Sequence, residues 1–150
     1  MSNITDVYNA ILSELVTLYP NKTKIPNPYS LQDNPSNFLK NGYGLTIEST
    51  TREDGEIKNI VLEYNFTIVL TKEIVRTDSD DEKIDDNTIL LLEDLFEGQK
   101  RFYQVDQLGV ADKIRIIELG TATNYETFVT GDNNFISGSF EAAIQITEVL

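Results

Sequence analysis

The sequence predicts an α+β fold in which a mainly antiparallel sheet of about four strands, including a long β-hairpin, packs against two helices. In two segments apolar residues recur at three- and four-residue steps, as in amphipathic helices, and in other segments they alternate with polar residues, as in strands. The chain has 150 residues, 40% of them hydrophobic, which is the usual size and composition of one globular domain. We therefore expect a single domain over residues 1–150.

The first predicted element is an amphipathic helix over about residues 3–19. Ser2 or Asn3 can cap its start, and Pro20 followed by Asn21 stops it. The apolar residues that recur at helical spacing are Ile4, Val7, Tyr8, Ile11, Leu15, Leu18 and Tyr19.

Residues 20–41 contain all four prolines of the chain and five asparagines, so regular structure is improbable there. The segment nevertheless contains several large apolar residues, which a freely solvated tether would not carry. We expect it to lie against its own domain or against a neighbouring subunit. These apolar residues are Ile25, Tyr29, Leu31, Phe38 and Leu39.

Two strands are predicted next, over 43–51 and about 57–75, with a hairpin signal at Asp54-Gly55 between them. In the first strand, Tyr43, Leu45 and Ile47 share one face and Thr46, Glu48 and Thr50 the other. The second strand has one dry face, formed by alternate residues from Ile60 to Leu70. It could span roughly 60 Å at about 3.3 Å per residue, and a protruding hairpin arm would be one use for such a length.

Residues 77–87 (TDSDDEKIDDN) are predicted to form a hydrophilic acidic loop. A second helix follows from about Thr88 to Phe102, with Asp85, Asp86 or Asn87 available to cap it. Gly98 should weaken the end of this helix.

Two further strands are predicted at Lys113–Leu119 and Phe140–Val149. The intervening residues 120–139 are rich in Thr, Gly and Asn. They could form a long loop or a twisted hairpin with its turn at Gly131 to Asn134.

Composition excludes several classes of chemistry. The chain has no Cys, no His and no Trp, so it has no thiol or imidazole nucleophile, no Ser-His-Asp triad and no disulfide. Its formal net charge of -13 disfavours tight binding to nucleic acid, which depends on Lys and Arg. No apolar run approaches the length of a membrane span and no export signal is evident, so we expect a soluble, unexported protein with no membrane partner.

The acidic residues of the predicted loop could in principle bind calcium. An EF-hand that started at Asp78 would need Gly at its sixth position and Glu at its twelfth, where the chain has Lys83 and Ile89. We therefore favour a solvated or subunit-contact loop and expect no metal, no cofactor and no catalytic residues. No pair of carboxylates stands out for hydrolysis. The candidate contact residues of this loop are Asp78, Asp80, Asp81, Glu82, Asp85 and Asp86.

A small basic region breaks the acidic character of the chain. It comprises Lys100, Arg101, Lys113 and Arg115. A domain with one acidic and one basic side can associate head to tail and close into a ring. Ordinary variation of surface charge is an equally good interpretation.

The order of the predicted elements resembles a known family. A helix that ends in Tyr19-Pro20, a Pro/Asn loop, a hairpin with a long second strand, an acidic connection, a helix, and a closing F-x-A-x-I-x-I strand at Phe140–Ile146 are together similar to the tail terminator (tail completion) proteins of tailed bacteriophages and their neck relatives. That resemblance implies a homohexameric ring that caps the tail tube, stops its growth and docks the tail to the head. It implies no enzymatic activity.

For this chain, the resemblance implies a virion protein of the tail and neck, assembled in the host cytoplasm. Its partners would be further copies of itself, the tail tube protein and the head–tail connector proteins, and genomic DNA would pass through an acidic lumen without tight binding. The alternatives are a head-completion or tail tube subunit, or an acidic calcium-dependent binding module. The candidate subunit-interface residues are Tyr29, Phe38, Lys100, Arg101, Arg115, Tyr125 and Phe128.

Overall fold

In the described part of the chain, six strands form one sheet and two helices pack on one of its faces. The computed structural model describes residues 4–54, 59–74, 80–104, 114–119, 124–130 and 133–149. In chain order the helices and strands are α1 (Ile4–Leu18), β1 (Thr23–Lys24), β2 (Asn41–Asp54), β3 (Asn59–Ile74), α2 (Asp80–Gln104), β4 (Ile114–Leu119), β5 (Asn124–Thr130) and β6 (Asn133–Val149). Two short 3-10 helices, Leu31–Asp33 and Ser36–Phe38, lie between β1 and β2.

The strand order is β1-β2-β3-β6-β4, and β5 also pairs with β6. The short β1 runs parallel to β2, and every other described pairing is antiparallel. The predicted α+β class, with a long hairpin and two helices, is therefore confirmed. The sheet has more strands than the four that alternation predicted, because β1 is too short to show a pattern and β5 lies in the Thr/Gly/Asn-rich segment.

β3 is the central strand and is paired along both edges. It pairs with β2 from Ile60 to Lys72 and with β6 over its whole length, from Asn59 to Ile74. A protruding hairpin arm is one use that the sequence suggests for this length, and in the structure β6 accompanies β3 to its end, so the hairpin is not a free two-stranded arm. The long strand is instead the middle of a three-stranded ladder.

A β-bulge interrupts β2. The register with β3 shifts between Ile47 and Ser49, so Ile47 pairs with Phe66 while Thr50 pairs with Tyr64. An extra residue in one strand reverses the faces that follow it. The simple alternation predicted through Thr50 therefore breaks at Glu48.

The main core lies between the helices and one face of the sheet. α1 and α2 pack their apolar stripes on alternate residues of β2, β3 and β6, as the periodicity predicts. Its buried members are Ile11, Leu15, Tyr19, Tyr43, Leu45, Phe66, Ile68, Leu70, Ile74, Leu91, Leu95, Phe102, Ile136, Phe140 and Ala142.

The opposite face of the sheet is also covered. Ile25 and Leu39 of the segment before β2 are buried with Phe135 of β6, and Leu31 and Phe128 pack on them. Below this layer Thr67, Val69 and Thr71 of β3 are buried. The prediction of one dry face for β3 is thus wrong here, and the segment 20–41 does lie against its own domain.

The covering segment approaches β2 very closely at two glycines. A Cβ on Gly42 would lie 2.6 Å from the carbonyl oxygen of Phe38, and a Cβ on Gly44 would lie 2.6 Å from Cβ of Pro28. These distances are well below van der Waals contact. Any side chain at either position would push the segment away from the sheet.

Helix α2 begins at Asp80, about two turns before the predicted start at Thr88. The prediction of an acidic loop is therefore wrong for residues 80–87, while Asp78 lies outside the described residues. Carboxylates in the first turns of a helix interact favourably with its unpaired N–H groups and its dipole. The run of acids that looked like a solvated loop is thus a favourable helix start.

Gly98 and Gly138 allow α2 to pack closely on the sheet. A Cβ on Gly98 would overlap the hydroxyl of Tyr19 and lie 2.8 Å from the ring of Phe140. A Cβ on Gly138 of β6 would lie 2.6 Å from Cδ1 of Leu95. The helix continues through Gly98 to Gln104, so this glycine permits close packing and does not mark the end of the helix.

The segment 120–139 contains a hairpin, one of its two predicted forms. β5 pairs with β6 from Asn124↔Ser139 to Thr130↔Asn133. β4 pairs with the same edge of β6 farther along, from Ile114↔Ile146 to Leu119↔Ala142. Both strands therefore complete the sheet on the side away from β2.

In the part of the chain that the structure describes, neither helix combines the length and the apolar composition needed to cross a membrane.

We predict that Gly98→Ala destabilises the fold by about 1–3 kcal/mol, because overpacking against Tyr19 and Phe140 exceeds the gain of about 1 kcal/mol in helix propensity. Urea unfolding of the variant and the wild type measures this difference. Glu97→Ala, at the neighbouring exposed position of α2, is the control and should stay within about 0.5 kcal/mol. An equal or more stable Gly98→Ala variant would contradict the packing argument.

Candidate functional site

The outer edge of β2 is the first candidate site. Among the described strands, only β1 pairs with this edge, and it does so at Gly42 and Tyr43 alone. Farther along, the backbone N–H of Ile47 donates a hydrogen bond of 3.0 Å to the hydroxyl of Tyr29. Tyr29 itself is 66% exposed. An exposed aromatic ring therefore lies at the edge of a long strand.

Asn34 fixes the turn that carries Tyr29. Its side chain is buried and accepts a hydrogen bond of 2.8 Å from the N–H of Asn27. Its amide nitrogen donates to the carbonyl oxygens of Asn27, Ser30 and Leu31, at 2.8, 3.0 and 3.0 Å. Buried polar groups with all partners satisfied specify one backbone conformation. The position of Tyr29 is thus set by a rigid turn.

A buried ion cluster is the second candidate site. Lys22, just after α1, has a side chain only 5% exposed, and its Nζ lies 3.1 Å from Oδ2 of Asp94 in α2. The same Nζ donates a hydrogen bond of 2.6 Å to Oδ1 of Asn41. Nζ of Lys72, in β3, lies 3.6 Å from the same Oδ2 atom of Asp94. Two lysines thus share one carboxylate in an otherwise acidic protein.

Burial dominates the electrostatics of this cluster. It lowers the pKa of Lys22, and nearby Lys72 lowers it further, while Asp94 acts in the opposite direction. Burial also raises the pKa of Tyr19, with a smaller contribution from Asp94 and Glu97. The Tyr19 hydroxyl donates a hydrogen bond of 2.6 Å to the backbone oxygen of Asp94. Both groups therefore favour their neutral forms relative to water.

The cluster joins four elements, and its access to solvent is uneven, since the side chain of Lys22 is 5% exposed and that of Asp94 is 34% exposed. Lys22 follows α1, Asn41 begins β2, Lys72 lies in β3 and Asp94 in α2. A lysine this buried is poorly placed to meet a ligand, so the arrangement stabilises the fold and does not form an open binding site. Within the described ranges, no group of three or more acidic side chains is placed to hold a metal ion.

The acidic residues predicted as a contact loop lie in the first two turns of α2. These are Asp80, Asp81, Glu82, Asp85 and Asp86, and Asp78 falls outside the described residues. Successive residues of a helix are about 100° apart around its axis. The alternate-position ligands of an EF-hand loop therefore have no counterpart in the helical backbone of residues 80–86, and the calcium-dependent binding module stays a hypothesis.

The predicted interface residues are divided between the two faces of the sheet. On the loop-covered face, Phe38 is half-buried and Phe128 stacks on Phe135 with ring centroids 5.5 Å apart. On the helix face, Lys100 is exposed and Nε of Arg101 lies 2.9 Å from a carboxylate oxygen of Glu14. Phe128 and Arg101 thus already have partners in their own domain.

Arg115 and Tyr125 are on the strands farthest from β2. Arg115 of β4 is in register with Gln145, and Tyr125 of β5 is in register with Gly138. Tyr29 is at the opposite edge of the sheet. The predicted interface residues therefore do not form one continuous surface, although Tyr29 and Arg115 occupy its two opposite edges.

The ion cluster was not predicted from the sequence. Lys22, Lys72 and Asp94 are far apart along the chain and none of them belongs to a motif. The only local signal was a lysine close to the end of a predicted amphipathic helix, which is common at helix C-termini.

Comparison of the chain with protein-family models and with curated proteins found no match.

We predict that Asp94→Asn destabilises the protein by about 1–2 kcal/mol at pH 7, because it removes the counterion of the buried Lys22 cation, while the exposure of Asp94 to solvent keeps the penalty below that of a fully buried pair. The folded-state pKa of Lys22 is already below its ordinary value of 10.5 and should fall further in this variant. The loss of stability is complete at pH values where Lys22 is protonated in both the folded and the unfolded protein. It becomes smaller as the pH rises through the pKa of Lys22 in the folded protein. The deficit relative to wild type should therefore be smaller at pH 10 than at pH 7.

Urea unfolding at the two pH values measures this difference, and Tyr19 is present in both proteins, so its own titration largely cancels. Glu93→Gln is the matched control, since Glu93 is the adjacent, exposed carboxylate of α2. It should change stability by less than about 0.5 kcal/mol at either pH. A deficit in Asp94→Asn that stays constant or grows with pH would contradict this account of Lys22.

Proposed function

We propose that this protein is a structural subunit of a phage head–tail neck ring, which caps the tail tube, terminates its growth and docks the tail to the head. The observation that carries the proposal is the long three-stranded ladder of β2, β3 and β6, whose β2 edge pairs with no described strand beyond Tyr43. Open strand edges pair readily with other chains. A ring subunit needs surfaces of this kind for its neighbours.

The ladder is long. β3 pairs with β6 from Asn59 to Ile74, and these sixteen residues of strand correspond to roughly 50 Å. A ladder of this length offers a long edge for contact with a neighbouring subunit.

The charge of the chain is compatible with a ring around DNA. A net charge of -13 repels phosphates, and no counterion release favours binding. If the first two turns of α2 faced the lumen, their acids would keep DNA from adhering during passage. The proposed ring is a homohexamer whose further partners are the tail tube protein and the head–tail connector proteins.

Tyr29→Ala tests the proposed subunit contact at the β2 edge. We expect this variant to keep its fold but to form far fewer rings, because the exposed ring of Tyr29 is then lost from the contact. Mass photometry measures the oligomer, and negative-stain imaging with tail tubes measures decoration of tube ends. Val16→Ala removes a comparably exposed apolar side chain of α1 and should leave both readouts unchanged.

Three outcomes would count against the proposal. A wild-type protein that stays monomeric and never decorates tube ends would overturn the neck function. Spontaneous growth into tubes would identify a tail tube subunit instead. Equal loss of rings in the Tyr29 and Val16 variants would show that the contact lies elsewhere than at the β2 edge.

A further inference from the structure

The segment from Ile25 to Leu39, called the strap below, leaves the domain and returns to it at one place. The side chain of Asn41 joins the two ends at this base. Its Oδ1 accepts a hydrogen bond of 2.6 Å from Nζ of Lys22, and its Nδ2 donates one of 3.3 Å to the backbone oxygen of Asn21. A compact loop whose ends lie close together can move without displacing the elements on either side of it.

Two hydrogen bonds fasten the strap beyond its base. The N–H of Ile47 donates to the hydroxyl of Tyr29 at 3.0 Å, on the β2 side. Oγ1 of Thr130 donates to the backbone oxygen of Gln32 at 3.3 Å, on the β5 side. The side chain of Asn34 ties the turn between these two points to itself. Because the turn is rigid, the two fastenings should release together.

The strap packs in an apolar cluster of its own. Ile25 and Leu39 are buried there with Phe135, and Leu31 and Phe128 pack on them. The main core lies on the other face of the sheet, beneath the helices. Lifting the strap therefore separates one small cluster and leaves the main core packed. Proteins open in contiguous parts of this kind at a lower free energy than global unfolding.

A buried hydroxyl without a partner lies under the strap. Thr71 of β3 is 0% exposed, and its Oγ1 has no hydrogen-bond partner among the described residues. A Cβ on Gly42 would lie 2.7 Å from this oxygen and 2.8 Å from Cγ1 of Ile25, so the hydroxyl is next to the strap. A buried polar group without a partner costs free energy that hydration would recover. Closing the strap therefore carries a cost at Thr71 that opening removes.

We propose that the strap is a hinged cover, which opens as one unit while the helices and the main core stay folded. Opening hydrates the hydroxyl of Thr71 and uncovers the Phe135 side of the sheet. It also frees the outer edge of β2 from Gly44 to Thr46, whose residues are buried when the strap is closed. Covering an edge with a loop limits its pairing with other chains, so the strap controls how much of the β2 edge another chain can reach.

Thiol labelling of the folded protein tests the opening, because the chain has no Cys of its own. Thr71 and Leu70 are adjacent in β3 and both are 0% exposed, but Leu70 belongs to the main core on the helix side. We expect Thr71→Cys to react at least 100-fold faster than Leu70→Cys, since only the second needs global unfolding. Leu70→Cys leaves the larger cavity, which would speed its own reaction, so lost stability cannot produce the expected order. Equal rates would overturn the proposal.

Two glycine substitutions show whether the labelling reports the strap or a general loosening of the fold. A Cβ on Gly44 would lie 2.6 Å from Cβ of Pro28 in the strap, and a Cβ on Gly138 would lie 2.6 Å from Cδ1 of Leu95 in α2. Combined with Thr71→Cys, Gly44→Ala should speed labelling at least ten-fold, because it pushes the strap outward. Gly138→Ala should change it by less than about three-fold. Equal acceleration by both would overturn the hinged cover.

Two Thr→Val substitutions should act in opposite directions on the exchange of the Ile47 amide, which NMR measures. Thr71→Val removes the hydroxyl without a partner, so the strap closes more tightly and exchange slows about ten-fold. Thr130→Val removes the hydrogen bond to Gln32, so exchange speeds up about three-fold. A change of the same sign in both variants would contradict the proposal. So would a wild-type Ile47 amide that exchanges as slowly as the amides at the centre of β3.

The strap and the neck ring are tested separately, because the hinged cover depends only on contacts within one chain. A protein that labels rapidly at Thr71→Cys but never decorates tube ends contradicts the neck function and leaves the hinged cover in place. A protein that forms rings on tubes but labels Thr71→Cys no faster than Leu70→Cys contradicts the hinged cover alone.

Discussion

The fold depends on burying β3 on both of its faces while pairing it along both of its edges. Phe66, Ile68 and Leu70 are buried beneath the helices, and Val69 and Thr71 are buried beneath the loop layer. A strand in this position has no hydrated side, so each neighbouring layer must be held in place. The two helices cover one face, and the segment from Ile25 to Leu39 covers the other.

Specific contacts hold each of these two layers on the sheet. On the helix side, Gly98 and Gly138 allow α2 to approach the sheet, and the buried Lys22–Asp94 pair ties α2 to the end of α1. On the loop side, Gly42 lets the covering segment approach β2 so closely that a Cβ there would lie 2.7 Å from Oγ1 of Thr71. That hydroxyl is buried without a hydrogen-bond partner among the described residues, which is a cost that the surrounding apolar burial offsets.

Local periodicity was sufficient to predict the fold class, the two helices and four of the six described strands. The alternation of Ile60 to Leu70 and the helical spacing of Ile11, Leu15 and Tyr19 depend on nearest structural neighbours, which a sequence shows directly. The predictions that were wrong concern residues whose surroundings are set by segments distant in the sequence. Thr67 and Thr71 are polar enough to look solvent-facing, and only the fold of residues 25–39 over them makes that face dry.

The same distinction applies to the candidate sites. The start of α2 was missed because acids favour both loops and helix N-termini, and composition alone does not separate the two. Lys22, Lys72 and Asp94 meet only after four elements have packed. Tyr29 was predicted as a contact residue from its position in a Pro/Asn-rich segment, whereas its hydrogen bond to the edge of β2 is visible only in three dimensions.

The two edges of the sheet are unlike, and this limits the contacts that they could make. The β2 edge carries the turn of Tyr29, whose hydroxyl accepts a hydrogen bond from the N–H of Ile47, whereas β4 and β5 line the other side of the sheet through their pairing with β6. A contact between unlike edges joins two different surfaces, and such contacts form a closed ring only where the rotation between neighbours closes. The acids that begin α2 have a role that needs no neighbour, because carboxylates in the first turn of a helix interact favourably with its dipole.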